Sequence, residues 1–188
     1  AEYLSFSTSL IKDEQEYSEV GRAISTDGFY FLLKAIHSRY GKPIFITENG
    51  ISDATDVLRP SYMIEHLAAL HRAQSEGVPV MGYLFWTLSD NWEWTDGYCP
   101  KFGLVAVDRK NGLARSPRKS YFLFQKIARD HRVSAEERRR AWELVQENVG
   151  HDRPFCRDVG FLGLHEPTPR KIKSHDWRFK LPNGVQTP

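Results

Sequence analysis

Cysteine and long apolar runs are scarce in this sequence of 188 residues. Its two cysteines, Cys99 and Cys156, lie far apart and match no metal-binding or redox spacing, and we expect neither a metal nor a cofactor. A disulfide between them stays open, although nothing else in the sequence asks for one. No run of about 18 apolar residues predicts a membrane-spanning helix. The sequence after Ala1 does not resemble a signal peptide, and we expect that the chain begins inside a longer protein.

A strong charge of either sign is also lacking, since the formal net charge is only +2. This balance gives no electrostatic reason to expect a nucleic-acid partner. Residues 131–188 hold 11 Lys and Arg against 8 Asp and Glu, so the C-terminal part is mildly basic. Such a tail could contact an anionic membrane surface, although most of these charges are expected to be solvated. With 40% hydrophobic residues, the chain is long and apolar enough for a globular core.

Hydrophobic periodicity predicts a helix, a strand, a second helix and a second strand, in that order. The first helix is predicted to begin at Thr26 or Asp27 as N-cap and to run to Tyr40, with Gly41 as its stop. A short buried strand follows at 44–47. Pro60 fits the first position of the next helix, which Gly77 ends, and residues 80–86 form the second strand. This order predicts a βαβ unit with a parallel sheet.

The remaining chain shows weaker signals. Residues 12–19 are polar and predict a loop, and 102–108 predict a short strand or hairpin arm. Ser116-Pro117 is predicted to cap a helix that runs through about Asp130. Ser134 and Glu137 form the pattern of a capping box for a last helix that ends near Gly150. The helix that runs through about Asp130 is predicted to carry Tyr121, Phe124 and Ala128 on one face. Residues 151–188 contain five prolines and predict an extended tail, either packed on the domain or partly disordered.

A carboxylate ends the first predicted strand. Glu48 follows Ile44 to Thr47, and Asn49-Gly50 predicts a tight turn because both residues tolerate positive φ. In parallel α/β folds, the carboxyl ends of strands are where catalytic groups lie. Glu48 is therefore a candidate catalytic residue. The alternative is a solvated glutamate in a surface turn, which short motifs such as this one often represent.

The loop after the second strand is dense in aromatic and acidic residues. Trp86 ends the strand, and Glu93 and Trp94 follow in the loop. An indole face packs against the C–H bonds of a sugar ring, while carboxylates and indole N–H groups bind its hydroxyls. A strand-tip carboxylate could then attack the anomeric carbon as the nucleophile of a retaining glycosidase. The alternative is that Trp92 and Trp94 are core residues.

Four motifs in this order resemble glycoside hydrolase family 1, the β-glucosidase and β-galactosidase group. They are I-T-E-N-G at 46–50, W-T-L-S-D-N-W-E-W at 86–94, G-Y-x-x-K-F-G-L-x-x-V-D at 97–108 and S-P-R-K-S-Y at 116–121. The resemblance covers about residues 20–130. It implies an α/β fold, the C-terminal portion of a (β/α)8 TIM barrel that contributes strands 7 and 8 with their helices.

The same resemblance implies a role for each site residue. Glu48 would be the catalytic nucleophile at the end of strand 7, and Trp86 at the end of strand 8 would line the sugar site. Glu93 and Trp94 would bind the hydroxyls of the transferred sugar. Phe102 would lie near its exocyclic carbon.

A finer resemblance links the chain to the branch of this family called sensitive-to-freezing, the plant galactolipid galactosyltransferases. It rests on the sequences at 51–67 and 85–98 and on V-S-A-E-E-R-R-R-A-W-E-L-V-Q at 133–146 and H-D-W-R-F at 175–179. We therefore expect residues 1–132 to belong to the barrel and 133–188 to form a C-terminal extension with one helix and a proline-containing tail. Residues 24–29, I-S-T-D-G-F, depart from the family, which usually has a proline before the acidic residue.

The predicted function is retaining galactosyl transfer between galactolipids, at the chloroplast outer envelope membrane. A retaining mechanism needs a second carboxyl roughly 5 Å from the first. In this family it lies in an N-E-P motif, which these 188 residues do not contain. We therefore expect these residues to be inactive alone. The alternatives are a soluble β-glucosidase or β-galactosidase that hydrolyses small glycosides, and a non-catalytic relative that binds sugar or lipid.

Overall fold

The computed structural model describes residues 15–156 and 170–180. Residues 3–7, whose alternating pattern predicts a further strand, lie outside these ranges. In chain order, the helices and longer strands are α1 (Thr26–Tyr40), β1 (Ile44–Asn49), α2 (Arg59–Ser75), β2 (Val80–Phe85), β3 (Val105–Asp108), β4 (Ala114–Pro117), α3 (Lys119–Asp130) and α4 (Ala135–Glu147). Two short strands in the C-terminal part, β5 (Asp152–Arg153) and β6 (Arg170–Lys171), pair antiparallel.

The predicted βαβ unit is confirmed. β1 and β2 pair in parallel, with Ile46 opposite Tyr83 and Asn49 opposite Phe85, and α2 forms the crossover between them. The residues of both strands that face away from the helices include exposed apolar side chains, such as Met81. This exposure agrees with a sheet that is only part of a barrel.

The N-cap of α1 lies one residue before Thr26 and two residues before Asp27, the two predicted N-caps. Ser25 is the cap, since its hydroxyl accepts a hydrogen bond from the Gly28 N–H at 3.3 Å. Thr26 is instead buried, and its hydroxyl donates to the Trp177 carbonyl at 2.9 Å. The end of α1 is as predicted, because Gly41 adopts the left-handed conformation, φ 60°.

Three hydrophobic clusters hold these elements together. The first lies between α1, α2 and the two strands and includes Phe179 from the C-terminal segment. The second joins α2 and β2 to α3 and α4. The third packs Val145, Ile172 and Trp177 against the loop that follows β1. The described part of the C-terminal tail is thus packed on the rest of the chain, which was one of the two predicted alternatives.

The segment Ser116-Pro117 does not cap a helix, contrary to the prediction. It ends β4, where Ser116 pairs with Ala106, so β3 and β4 form the hairpin. The N-cap of α3 is Arg118, which has no side-chain capping bond. Asp56, far away in sequence, takes that role by accepting from the Ser120 N–H at 2.9 Å and from the Ser120 hydroxyl at 2.6 Å.

The predicted apolar face of α3 was wrong in one residue, since Ala128 is exposed while Ile127 is buried. The predicted capping box of α4 is confirmed. The Ser134 hydroxyl accepts from the Glu137 N–H at 3.1 Å, and the Glu137 carboxylate accepts from the Ser134 N–H at 2.7 Å.

Cys99 and Cys156 form a disulfide, with an S–S distance of 2.15 Å and Cα atoms 5.8 Å apart. The pairing that the sequence left open therefore exists in the structure. It joins the loop after β2 to the C-terminal part. Across the described ranges, none of the helices has the length and apolar character that crossing a membrane requires.

Candidate active site

The carboxyl ends of the two parallel strands place Glu48, the candidate nucleophile, beside Trp86, which is predicted to line the sugar site. Glu48 is the penultimate residue of β1, and Trp86 directly follows β2. The Trp86 N–H donates to the Asn49 carbonyl at 2.9 Å. The Glu48 side chain is exposed at this edge. Both predicted residues therefore lie at the carboxyl ends of neighbouring strands, where parallel folds place their chemistry.

Gly50 is required for a close approach, which corrects the prediction of a positive-φ turn at Asn49-Gly50. Asn49 still belongs to β1, and neither residue is among those with positive φ. A Cβ atom at position 50 would lie only 1.6 Å from the Trp86 carbonyl oxygen. The absence of a side chain thus lets the two strand tips touch.

Asn49 is fixed by two tyrosines that the sequence analysis did not single out. Its side-chain oxygen accepts from the Tyr83 hydroxyl at 2.8 Å, and its amide nitrogen donates to the Tyr62 hydroxyl at 3.3 Å. Burial raises the pKa of Tyr83 well above its usual value and that of Tyr62 to about 12. Both hydroxyls therefore stay protonated at neutral pH, so their hydrogen bonds continue to hold Asn49, the residue after Glu48.

The loop from Trp86 to Leu104 is anchored by Asp90. This carboxylate is buried and accepts from the Gly103 N–H at 2.9 Å. It also forms a two-pronged ion pair with the Arg118 guanidinium, at 3.0 and 2.9 Å. Such bidentate pairs fix geometry as well as charge. The peptide bond between Trp86 and Thr87, where the loop begins, is cis.

Glu93 turns back from this loop toward the strand tips. Burial raises the pKa of the Glu93 carboxyl, the polar contact with the Trp86 side chain lowers it, and the negative charge of Glu48 adds a small upward contribution. Oε1 of Glu93 is buried and has no hydrogen-bond partner among the described residues. A buried acceptor without a donor is costly. Here the donor could be a hydroxyl of a bound sugar.

The two tryptophans of the loop are surface residues, so the alternative that they belong to the core is wrong. Trp92 is 54% exposed and Trp94 is 81% exposed. Phe102, in contrast, is only 6% exposed, and its carbonyl accepts from the Thr87 N–H at 3.3 Å. The structure thus brings Glu48, Trp86 and Glu93 together, leaves Trp94 on the outer surface of the loop, and buries Phe102 beneath it.

This arrangement can supply the nucleophile and the sugar contacts that glycosyl transfer needs. An exposed carboxylate beside a tryptophan and a second, partly buried carboxylate can bind a sugar ring and attack its anomeric carbon. Glu93 is suited to hold hydroxyls because its carboxyl lies close enough to Glu48 to sense its charge, and one of its oxygens has no partner among the described residues. The roles of Glu48, Trp86, Glu93, Trp94 and Phe102 stay predictions.

Glu19 is a buried residue whose importance the sequence analysis missed. It was placed in a polar loop, yet it is 1% exposed and contacts both loops that follow the strands. Burial is the main reason that its pKa rises to about 7. No local pattern marks it, because the residues that bury it come from distant parts of the chain.

Comparisons with known proteins identify the family of the chain. The sequence model for Glycosyl hydrolase family 1 matches residues 5–133. Two curated relatives match almost the whole chain. The chain is 50% identical, over 94% of its length, to the galactolipid galactosyltransferase SFR2, chloroplastic, of Arabidopsis thaliana, and 48% identical, also over 94%, to the beta-glucosidase-like SFR2, chloroplastic, of rice, Oryza sativa subsp. japonica. The chain covers 30% and 29% of these relatives, about a third of their length.

Solved structures confirm the fold. The beta-glycosidase from Pyrococcus horikoshii superposes with a TM-score of 0.66 at 38% identity, covering 70% of this chain and 31% of that one. The hyperthermophilic beta-glucosidase from Pyrococcus furiosus gives the same TM-score at 37% identity, covering 74% and 29%. The prediction of a C-terminal portion of a (β/α)8 barrel is therefore confirmed.

Proposed function

Because the chain belongs to glycosyl hydrolase family 1, we propose that it is part of a retaining enzyme that transfers galactose between galactolipids, with Glu48 as the nucleophile. The observation that carries the galactolipid assignment is the extent of the similarity. Identity with a galactolipid galactosyltransferase spans 94% of the chain, whereas the family match ends at residue 133. The extension is thus shared with that relative and with the beta-glucosidase-like SFR2 of rice.

In the first step, the Glu48 carboxylate attacks the anomeric carbon of a galactolipid. The bond from that carbon to the glycerol oxygen breaks, and the departing diacylglycerol oxygen takes a proton from a general acid. The product is a galactosyl ester of Glu48. The neighbouring Glu93 and Trp86 support this assignment. The Glu93 carboxylate would bind hydroxyls of the sugar, and the Trp86 ring would pack against the sugar ring beside Glu48.

In the second step, a hydroxyl of another galactolipid attacks the anomeric carbon, and the ester bond to Glu48 breaks. The general acid, now a base, removes the hydroxyl proton, so its protonation state is restored. We propose that this acid/base carboxyl comes from the N-E-P motif of the whole protein, and that the 188 residues are inactive without it.

We further propose that the barrel part ends at residue 132 and that 133–188 form the extension. The end of the family match at residue 133 supports this division. We also propose that the protein acts at the chloroplast outer envelope. The chloroplastic names of both relatives support the organelle. The mildly basic C-terminal part would favour peripheral contact with anionic lipid.

The direct test is Glu48→Gln in the full-length protein. Vesicles that contain monogalactosyldiacylglycerol are incubated with each enzyme, and the lipids are separated and identified by mass spectrometry. The wild-type protein should form diacylglycerol and oligogalactolipids. Glu48→Gln should lower the rate by at least about a thousandfold, because an amide cannot form the ester intermediate. Glu143→Gln, an exposed glutamate on α4, is the control.

Each other outcome has a defined meaning. Free galactose without oligogalactolipid would show that the enzyme hydrolyses the lipid instead of transferring galactose, which is the activity of a β-galactosidase. Normal turnover by the Glu48→Gln enzyme would remove Glu48 as the nucleophile. Binding of galactolipid without any turnover by the wild-type protein would favour a non-catalytic sugar- or lipid-binding relative.

A further inference from the structure

Glu19 contacts three separate segments with its four polar groups. Its carboxylate oxygens accept from the Ala54 N–H at 2.7 Å and from the Lys101 N–H at 2.8 Å. Its own N–H donates to the Ser52 carbonyl at 3.2 Å, and its carbonyl accepts from the Cys156 N–H at 2.7 Å. Each polar group of a residue that is 1% exposed is therefore used.

The segments that Glu19 joins are those that carry the candidate site. Ser52 and Ala54 lie in the loop that leaves the Glu48 strand tip. Lys101 ends the part of the second loop that carries Glu93 and Trp94, and it directly precedes Phe102. The carboxylate thus spans the two loops, with one oxygen on each. The distance between the loops decides whether Glu93 can hold a sugar while Glu48 faces its anomeric carbon.

We propose that Glu19 is a positioning residue for sugar binding, which fixes the loop of Glu93 relative to the strand tip of Glu48. This inference rests on the proposed function of that site. Glu19 does not touch the substrate. It acts through the backbone amides of Ala54 and Lys101.

The structure provides a matched control in Glu16. This carboxylate is also buried, at 2% exposed, and accepts from the Arg153 guanidinium and the Lys173 N–H, both at 2.7 Å. Its partners lie in the C-terminal part rather than in the loops of the site. Glu16→Gln therefore disturbs a buried carboxylate of the same segment without releasing Glu93.

The experiment compares Glu19→Gln, Glu16→Gln and wild-type protein, all full length, with p-nitrophenyl β-D-galactoside as the sugar probe. A glutamine at position 19 can accept only one of the two amide N–H groups and presents its own N–H group to the other. We expect kcat/KM to fall about 10- to 100-fold, the effect of a displacement of about 1 Å at a site. Much of the loss should lie in KM, since Glu93 binds ground-state hydroxyls. Glu16→Gln should leave kcat/KM unchanged.

A double-mutant cycle separates positioning from a general loss of structure. Glu19→Gln is also measured in a Glu93→Gln enzyme. If Glu19 acts by placing Glu93, its replacement should reduce kcat/KM much less once Glu93 has been changed. An equal fold-loss in both backgrounds would overturn the proposal, as would an unchanged kcat/KM in the single variant.

A folding failure also has a defined outcome. If Glu19→Gln melts below the assay temperature, Glu19→Asp replaces it, because the shorter side chain keeps the carboxylate but reaches only one amide. If both melt while Glu16→Gln stays folded, Glu19 is a folding residue and the proposal is wrong. The Glu48→Gln enzyme keeps the two proposals apart. Normal turnover by that enzyme rejects the proposed function, whereas an inactive Glu48→Gln beside an unaffected Glu19→Gln rejects positioning alone.

Discussion

His66 is a buried imidazole in the middle of α2. It stacks on Tyr62 with ring centroids 3.8 Å apart and contacts Phe29 at 5.4 Å. Its Nδ1 lies 2.8 Å from the Tyr62 carbonyl. Burial lowers the pKa of His66 from 6.5 to about 4, so the folded protein holds it in the neutral form.

This shift predicts a loss of stability in acid. The unfolded chain binds a proton on His66 at a higher pH than the folded chain does, so the contribution of His66 to the free energy of unfolding should fall as pH drops from about 6.5 to about 4, opposite in sign to the contribution of Glu19, whose pKa is raised in the folded protein. The expected contribution is about 3 kcal/mol. Denaturant unfolding of the full-length protein between pH 4 and 7.5 measures it.

The test variant for this prediction is His66→Phe, which keeps an aromatic ring but cannot bind a proton. The difference in the free energy of unfolding between wild-type protein and His66→Phe should change by about the same 3 kcal/mol between pH 7.5 and pH 4. His71→Phe, which removes an exposed imidazole from the same helix, is the reference variant. An identical pH profile for wild-type protein and His66→Phe would show that His66 does not carry the acid sensitivity.

At the scale of elements, the loop after β2 is held at several points along its length. Asp90 binds Arg118 near its beginning, the disulfide at Cys99 joins it to the C-terminal part, and Glu19 accepts from the Lys101 N–H near its end. The segment that carries Glu93 and Trp94 lies between these anchors. A loop that is fixed on both sides of its binding residues loses less entropy when a sugar binds.

Loss of the disulfide should therefore affect stability strongly. Cys99 and Cys156 are 57 residues apart, and closing a loop of this length stabilises the folded state by about 4 kcal/mol in the chain-entropy description. Cys99→Ser and Cys156→Ser should each lower the free energy of unfolding of the oxidised full-length protein by about this amount.

The double variant gives the check on this prediction. Cys99→Ser with Cys156→Ser should be no less stable than either single variant, because either change already removes the bond. Peptide mapping without reductant should find the two cysteines linked in the wild-type protein. Free thiols at both positions, or effects of the two changes that add, would contradict the prediction.

At the scale of the whole molecule, a buried charge pair binds α4 to α2. Glu65 is completely buried and accepts from the Arg138 guanidinium on α4 at 2.8 and 2.7 Å. The same carboxylate accepts from the Phe179 N–H at 2.9 Å. One side chain of α2 thus joins both α4 and the final described segment, residues 170–180.

Breaking this pair should separate the extension from the barrel part. Arg138→Met leaves the buried Glu65 charge without its partner, which we expect to destabilise the full-length protein by about 3 to 5 kcal/mol. Arg139→Met is the control on the same helix. Among the described residues, Arg139 pairs with the exposed Glu136 and Glu143, so its loss should cost about 1 kcal/mol or less.

Thermal unfolding and limited proteolysis together test this prediction. Arg138→Met should melt earlier and should be cut first between the barrel part and α4, whereas Arg139→Met should behave like wild-type protein. Equal melting temperatures for the two variants would show that the pair does not hold the extension.

The sequence by itself determined the order of the first four elements, α1, β1, α2 and β2, the parallel pairing and the strand tip that carries Glu48. These follow from local signals, because apolar periodicity, a β-branched run and caps such as Ser134 and Glu137 act within a few residues. The motifs on which the family resemblance rests are also contiguous. Trp86 and Glu93 could be predicted as neighbours of Glu48 since parallel strands end at one edge.

Only the tertiary structure decided the contacts between distant segments. It paired Cys99 with Cys156, capped α3 with Asp56 instead of Ser116-Pro117, and buried Glu19 between two loops. It also showed that Gly50 serves a close contact with Trp86 rather than a turn. Such contacts depend on how the whole chain closes on itself, and no periodicity within a short window records that.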